Sequence, residues 1–169
     1  MKNSGIIFVV IIVTLLSGCR FVNYSFVGGS IDPKIKTISI QYFPNNAPLV
    51  QPALSQLLTE ALREKFSQQT KLTTVSRGGD LNIEGSIVNY STQPIAIQGN
   101  ETAAMNRLTI VISVKFTNNI DEKQNFEQTF TRYADYLSSL NLSAVEESLI
   151  KEINDQFVDD IFNKTVINW

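Results

Sequence analysis

The chain has 169 residues, 43% of them hydrophobic, and its 14 basic and 16 acidic side chains give a net charge of −2. One cysteine and no histidine exclude zinc sites built from those ligands and nucleophilic sites of the Ser-His-Asp or Cys-His kind. The slightly acidic balance argues against a nucleic-acid-binding protein, which normally carries a basic patch. We therefore expect no catalytic residues, no metal and no cofactor.

The first 18 residues have the pattern of a secretory signal peptide. Lys2 supplies a basic tip, an apolar run follows at residues 6–16, and two small residues end it. The run is shorter than the roughly 20 residues of a transmembrane helix. The sequence Leu16-Ser17-Gly18-Cys19 resembles the bacterial lipobox, so we expect cleavage before Cys19 and acylation of its thiol. An aspartate directly after the lipidated cysteine resembles an inner-membrane retention signal. This chain has Arg20 in that position, which favours the outer membrane.

The predicted boundaries follow from that cleavage. Residues 1–18 form the signal peptide, residues 19–34 form a lipidated N-terminal linker, and residues 35–169 form a single α+β domain. Turn residues in the linker, Gly28-Gly29 and Asp32-Pro33, agree with this division.

The first half of the domain begins with a strand and a helix. Lys36 to Phe43 alternates, and we predict that Ile38, Ile40 and Tyr42 face inward. A helix over 52–68 carries an apolar stripe that includes Leu57. Two strands follow, at 71–75 and 81–91, and Gly85 in the second indicates a bulge or a close approach. The chain over 93–104 is predicted to be a loop, either functional or a plain hairpin connection.

The second half contains the clearest strand, 107–117, which has one apolar row and one largely polar row. A further strand covers 125–136, and its alternation is predicted to slip near Tyr133. The last element is a helix over 144–166 with a capping box of Ser143 and Glu146. The predicted order is β-α-β-β-β-α: a two-layer α+β sandwich with both helices on one face of a mostly antiparallel or mixed sheet.

Three basic residues are predicted on the uncovered face of the sheet: Arg107, Lys115 and Arg132. They are candidates for binding an anionic head group, and the alternative is a solvated face with cross-strand charge pairs. The acid pairs Asp159-Asp160 and Glu146-Glu147 are predicted on the solvated side of the last helix, which argues against a hydrolase that uses only carboxylates.

Several long phrases, in order, resemble one family. They are YSFVGGSIDP, KTISIQYFPNNAPLVQPALSQLLTEALREKF, STQPIAIQGNETAAMNRLTI, VKFTN, FEQTFTRYADY and DDIFNKTVINW. Together they cover nearly all of the chain after Cys19. The chain is similar to the lipopolysaccharide-assembly lipoproteins, LptE, in a branch distant from the enterobacterial members.

The resemblance implies a lipoprotein on the periplasmic side of the outer membrane, anchored there by its lipid. It implies a large β-barrel partner of the LptD type, which the lipoprotein plugs and helps to assemble, and lipopolysaccharide as the cargo inserted into the outer leaflet. No covalent chemistry on the cargo is implied. Arg107 and Lys115 are lipopolysaccharide-binding candidates from strand geometry only. The alternative function is a membrane-tethered binding or scaffold lipoprotein without a barrel partner.

Overall fold

The computed structural model describes residues 31–49, 51–95 and 104–167. Seven main elements follow one another along it: strand β1 (Thr37–Ile40), helix α1 (Pro52–Gln69), strands β2 (Thr73–Val75), β3 (Leu81–Ile95), β4 (Met105–Asn118) and β5 (Phe126–Leu137), and helix α2 (Leu142–Phe162). A 3-10 turn, Glu122–Gln124, joins β4 to β5, and a π-helical turn, Asn163–Ile167, follows α2.

The five strands form one mixed sheet in the order β2-β1-β3-β4-β5. Strand β1 pairs in parallel with β2 and β3, whereas β4 pairs antiparallel with β3 and β5. The predicted α+β class is confirmed. The structure has the order β-α-β-β-β-β-α, so the predicted order β-α-β-β-β-α is one strand short, although all five strands, including the edge strand Thr73–Val75, were predicted along the chain.

One hydrophobic core lies between the sheet and the two helices. Alternate residues of β4 enter it: Leu108, Ile110, Ile112, Val114 and Phe116. The helices contact each other through Phe66 and Phe162, whose ring centroids are 5.1 Å apart. Both helices therefore bury their apolar sides against the same face of the sheet, as predicted. Leu57 is an exception, since 43% of it is exposed.

The predicted inward row of β1 is wrong at its end. Ile38 and Ile40 are buried, but Tyr42 is 56% exposed and Phe43 is buried instead. The strand ends at Ile40, and the backbone N–H of Phe43 donates to Oγ1 of Thr59 on α1, 3.1 Å away. Released from the strand alternation, the Phe43 side chain turns into the core.

Phe43 occupies the space that Gly85 leaves open on β3. A Cβ atom at Gly85 would lie 2.9 Å from Cζ of Phe43 and 2.5 Å from the carbonyl oxygen of Ser113. The close approach predicted for Gly85 is therefore confirmed. The bulge of β3 lies further along, between Ile87 and Asn89.

The predicted capping box of α2 is wrong. The helix begins at Leu142 after Asn141, which makes no side-chain capping bond, so Ser143 lies within the first turn. Glu146 accepts a hydrogen bond from the hydroxyl of Tyr90 on β3 instead. Burial together with this carboxylate raises the pKa of Tyr90. Glu146 thus joins the helix to the sheet.

Strand β5 keeps one register along its whole length, from Phe116↔Phe126 to Met105↔Leu137. The predicted slip near Tyr133 is therefore wrong. Phe130, Ala134 and Tyr136 are buried on the helix side, and Tyr133 is 49% exposed on the other.

Candidate functional site

The open face of the sheet is the side of β3, β4 and β5 opposite to the helices. Its centre is rich in hydroxyl groups because the register aligns them across the three strands. Ser113 of β4 lies between Ser86 and Thr129, and Thr109 is opposite Ser91. The centre of this face therefore offers small hydrogen-bonding groups, whereas the apolar side chains of Ile95, Met105 and Leu137 pair in register at the end beyond Arg107.

At one end of this face, Arg107 forms a cross-strand ion pair. Its Nε and NH2 atoms donate to the two carboxylate oxygens of Asp135, at 2.7 and 2.8 Å. Its guanidinium carbon lies 3.6 Å from the centroid of the Tyr133 ring, a cation–π stack. The hydrogen bond with Arg107 lowers the pKa of Asp135, and the same bond raises the pKa of Arg107. The NH1 group of Arg107 and the second N–H of its NH2 group do not bond Asp135, and they are available to a further anion.

At the other end, Lys115 is exposed and makes no ion pair with another described residue. The register places a carboxylate directly opposite it on each neighbouring strand, Glu84 on β3 and Glu127 on β5. Directly opposed side chains have Cβ atoms about 5 Å apart, so both carboxylates lower the local positive potential.

The structure does not bring Arg107 and Lys115 together. They are eight residues apart on β4, which is about 26 Å at roughly 3.3 Å per residue. Counted with Glu84, Glu127 and Asp135, the open face carries two cations and three carboxylates. Any anion bound here would meet two separate single cations, since this face has no basic patch.

The third candidate, Arg132, is on the opposite side of the sheet. It pairs in register with the buried Ile110, so its side chain lies on the helix face, and its NH2 donates to Oδ1 of Asp160 at 2.6 Å. This bond raises the pKa of Arg132. The prediction for Arg132 is therefore wrong, and its role is to join β5 to α2.

The remaining candidates divide between described and undescribed residues. Cys19 and residues 96–103 lie outside the described residues. Gln93–Ile95, predicted to be loop, extend β3 and pair with Arg107–Met105. Asp159 and Asp160 bond Lys65 and Arg132, so these two acids of α2 are engaged rather than free in solvent.

Sequence reasoning missed the association of Tyr133 and Asp135 with Arg107. The signal was present in part, because Tyr133 and Asp135 are two residues apart and so share a face of β5. Their partner on β4 depends on a register that residue types alone do not determine.

The sequence model of the lipopolysaccharide-assembly family, LptE, matches residues 35–165. The chain belongs to the LptE family. This family of lipoproteins is non-catalytic and has a role in lipopolysaccharide assembly, in agreement with the resemblance found in the sequence. A comparison with curated protein sequences found no significant match.

Two solved structures with TM-scores of 0.50 or above show the same fold. A Xanthomonas campestris protein superposes with a TM-score of 0.54 at 14% identity, covering 82% of this chain and 91% of its own. A minor lipoprotein from Acinetobacter baumannii superposes with a TM-score of 0.50 at 13% identity, covering 78% of this chain and 92% of its own. The comparison also found the rare lipoprotein B from Shewanella oneidensis, with a TM-score of 0.49 at 17% identity, covering 74% of this chain and 91% of its own. Within the described residues of this LptE-family chain, no helix has the length and apolarity needed to cross a membrane.

Proposed function

We propose that this chain is an outer-membrane lipoprotein, held on the periplasmic side, that plugs and helps to assemble an LptD-type β-barrel and assists the insertion of lipopolysaccharide into the outer leaflet. The match of the family model over residues 35–165 carries this proposal. The lipoprotein titles of similar structures agree with an envelope location. In this account the chain acts by binding, with no catalytic residue.

The shape of the domain suits a plug. Strand β3 has 15 residues, about 50 Å at roughly 3.3 Å per residue, which exceeds the roughly 30 Å of hydrocarbon in a bilayer. The helices are fixed to the sheet by the shared core and by the Tyr90–Glu146 and Arg132–Asp160 bonds. Hydroxyl and charged groups on the open face match the polar interior of a large barrel.

The anchor in this proposal is Cys19. Cleavage removes residues 1–18, the thiol takes a diacylglycerol, and residues 19–34 link the lipid to the domain. One acyl chain gives only reversible membrane binding, so stable attachment needs more than one chain. We expect Cys19→Ser to keep the signal segment and to lose lipid labelling, measured by intact mass and acyl incorporation. Acyl incorporation into the variant would rule out this anchor.

Arg107 and Lys115 remain candidates for contacts with the anionic groups of lipopolysaccharide, now as two separate positions. Arg107 is the better placed, because the Tyr133 ring and Asp135 hold its guanidinium while leaving NH1 free. We expect Arg107→Gln to weaken lipopolysaccharide binding in a filter or fluorescence assay, whereas Lys65→Gln, on the helix side, leaves it unchanged. Equal binding by the two variants would remove Arg107 from the binding surface.

Depletion in the cell tests the function itself. We expect lipopolysaccharide to accumulate away from the cell surface when the chain is depleted, measured by its loss of access to a surface-modifying enzyme. Re-expression of the wild-type chain should restore access, and the Cys19→Ser variant should not. Unchanged surface lipopolysaccharide after depletion would contradict the proposal and favour a tethered scaffold.

A further inference from the structure

Strand β5 is an edge of the sheet. It pairs with β4 on one side, and no other described strand pairs with its outer side. The strand has 12 residues, which is about 40 Å at roughly 3.3 Å per residue, whereas the opposite edge strand, β2, has three. A long free edge presents a row of unpaired backbone groups, which proteins usually cover or block.

The register shows which backbone groups of β5 face outward. The N–H and C=O groups of Ile87 bond the segment that follows β1. Ile87 is opposite Ile112, which is opposite Phe130. Because the bonds of antiparallel pairs alternate, Ile112 bonds Phe130, and the even-numbered residues of β5 bond β4. The odd-numbered residues face the free edge, and those without a bond to another described backbone group are Glu127, Thr129, Thr131, Tyr133 and Asp135.

Little on this edge would block a further strand. Residues Phe126–Leu137 include no proline and no lysine, the residues that commonly protect an edge. The outward row has acidic residues only near its ends, and one of them, Asp135, is already paired with Arg107. Between them lie threonine and tyrosine, which favour strands. The edge is therefore suited to accept another extended segment.

The helix side of the same edge has an unfilled acceptor. Asp160 of α2 accepts from Arg132 of β5 through Oδ1, whereas its Oδ2 atom is buried and has no hydrogen-bond partner among the described residues. Leaving a buried carboxylate oxygen without a donor is unfavourable. A strand beside β5 would lie next to this oxygen.

The chain that precedes β1 leads toward this edge. Strand β1 has the second position in the sheet, but the residues before it lie below the fourth strand. They share one cleft with the end of β4 and the turn before β5, lined by Asp32, Pro33, Ile35, Asn118, Ile120, Asp121 and Gln124. Ile31 packs against the core. The chain therefore leaves the described domain near the start of β5.

The residues before Ile31 have the length and composition of a strand for this edge. Eleven residues separate Ile31 from Cys19, which is about 36 Å at roughly 3.3 Å per residue. Five of the seven residues 21–27 are aromatic or β-branched, and Val22, Tyr24 and Phe26 alternate. A tyrosine hydroxyl in this row is a donor of the kind that Oδ2 of Asp160 lacks.

We propose that residues 21–27 add a sixth strand to the free edge of β5, antiparallel to it. The direction follows from the connection to Ile31. Followed backward from the start of β5, the segment reaches the far end of β5 as it approaches Cys19. The lipid-bearing residue is then held at the end of the sheet where Ile95, Met105 and Leu137 pair in register, instead of on a free linker.

The sixth strand is compatible with the proposed plug. It widens the sheet by one strand, about 4.8 Å. Inside the barrel, the Leu137 end would lie at the periplasmic opening, beside the leaflet that holds the acyl chains of Cys19. This orientation rests on the proposed function, whereas the strand itself does not.

Amide hydrogen exchange, followed by NMR spectroscopy, tests the strand. The chain used begins at residue 19 and carries Cys19→Ser. The described core residues lie between Ile35 and Val166, so this chain keeps the whole core. We expect slow exchange at the outward amides of β5 as well as at the inward amides that bond β4, which are Gln128, Phe130, Arg132 and Ala134. Without a sixth strand, only the inward amides would exchange slowly.

Two double variants of the linker form a matched pair. Tyr24→Pro/Ser25→Pro removes two successive N–H groups, and one of them must face β5 in any register because successive groups face opposite sides. We expect the outward amides to exchange at least about tenfold faster in this variant, and the inward amides to change less than about twofold. Tyr24→Phe/Ser25→Thr keeps both N–H groups and should stay within about threefold of the parent chain at the outward amides.

Three results would overturn the proposal. The first is fast exchange of the outward amides in the parent chain. The second is outward protection that survives the two prolines, and if it also rises with protein concentration, a second copy occupies the edge. The third is linker-dependent protection of Thr74 instead, since its amide faces the other edge of the sheet, beyond β2.

The test is independent of the proposed function, because the chain used is neither acylated nor bound to a barrel. A negative exchange result leaves the barrel partnership standing. Conversely, failure to recover a barrel from membranes leaves the sixth strand standing. The two failures are therefore distinguished.

Discussion

The two faces of the sheet are built from the same strands and differ in almost every other respect. On the helix face, Ile110, Ile112 and Val114 of β4 are fully buried. On the open face, Val111 and Ser113 of the same strand are only half-buried, among hydroxyl groups. Because successive strand residues point to opposite sides, one strand supplies both the core and a polar contact surface. Stability and the proposed recognition by the open face can therefore be changed separately by moving one residue along β4.

The largest expected effect comes from placing the same charge on either face. Ile112→Asp puts an unpaired carboxylate into the core, and we expect a loss of several kcal/mol in the free energy of unfolding. Val111→Asp, one residue away, should cost about 1 kcal/mol, through strand propensity and partial burial. Urea unfolding followed by circular dichroism measures both. Similar losses for the two variants would contradict the two-faced description of β4.

Gly85 sharpens the comparison on the helix face. Gly85→Ala places a methyl group against the Phe43 ring and the Ser113 carbonyl, and we expect it to destabilise the fold by about 1–3 kcal/mol. The loss should be smaller in a Phe43→Ala background, because the ring contact is then gone while the carbonyl contact stays. A double-mutant cycle by urea unfolding measures this coupling. Additive losses would mean that Phe43 does not occupy the space above Gly85.

Strand β4, Phe43 and helix α2 show how far the fold could be predicted from the sequence. The two rows of β4 were predicted because alternation runs unbroken over the whole strand. The burial of Phe43 was not, since it depends on a gap at Gly85, more than 40 residues away. Helix α2 was found from its periodicity, but its capping box was wrong because Glu146 bonds Tyr90 of another element.

For the candidate site, the limit was register. The side on which Arg132 lies follows from its pairing with Ile110, and the assumed slip near Tyr133 obscured this. The cross-strand partner of Arg107 required the same register.

Tyr90 tests the bond between helix and sheet. We expect Tyr90→Phe to lower the free energy of unfolding by about 1–2 kcal/mol, because Glu146 loses the hydroxyl that it accepts from. Tyr133→Phe, on the open face, is the matched control and should change the free energy by less than about 0.5 kcal/mol. Thermal unfolding of the two variants provides the comparison, and equal losses would mean that the Tyr90–Glu146 bond adds nothing.

The smallest expected effect is on the open face, at Arg107. The folded-state pKa of Asp135 is lowered by Arg107, so the stabilisation from this pair is complete above the unfolded-state pKa, about 3.9, and is lost as the pH falls through the lower folded-state value. We expect Arg107→Gln to cost less than Tyr90→Phe at pH 7, and the difference from wild type to shrink below about pH 4. A difference that grows on acidification would contradict this assignment.

The central claim is that this LptE-family chain acts as the partner of a large outer-membrane barrel. Affinity purification of the lipidated chain from gently solubilised membranes, followed by mass spectrometry, tests it most directly. We predict a single large β-barrel protein that co-purifies in a fixed ratio and survives washing with high salt. Recovery of the chain alone, as a monomer, would contradict the account.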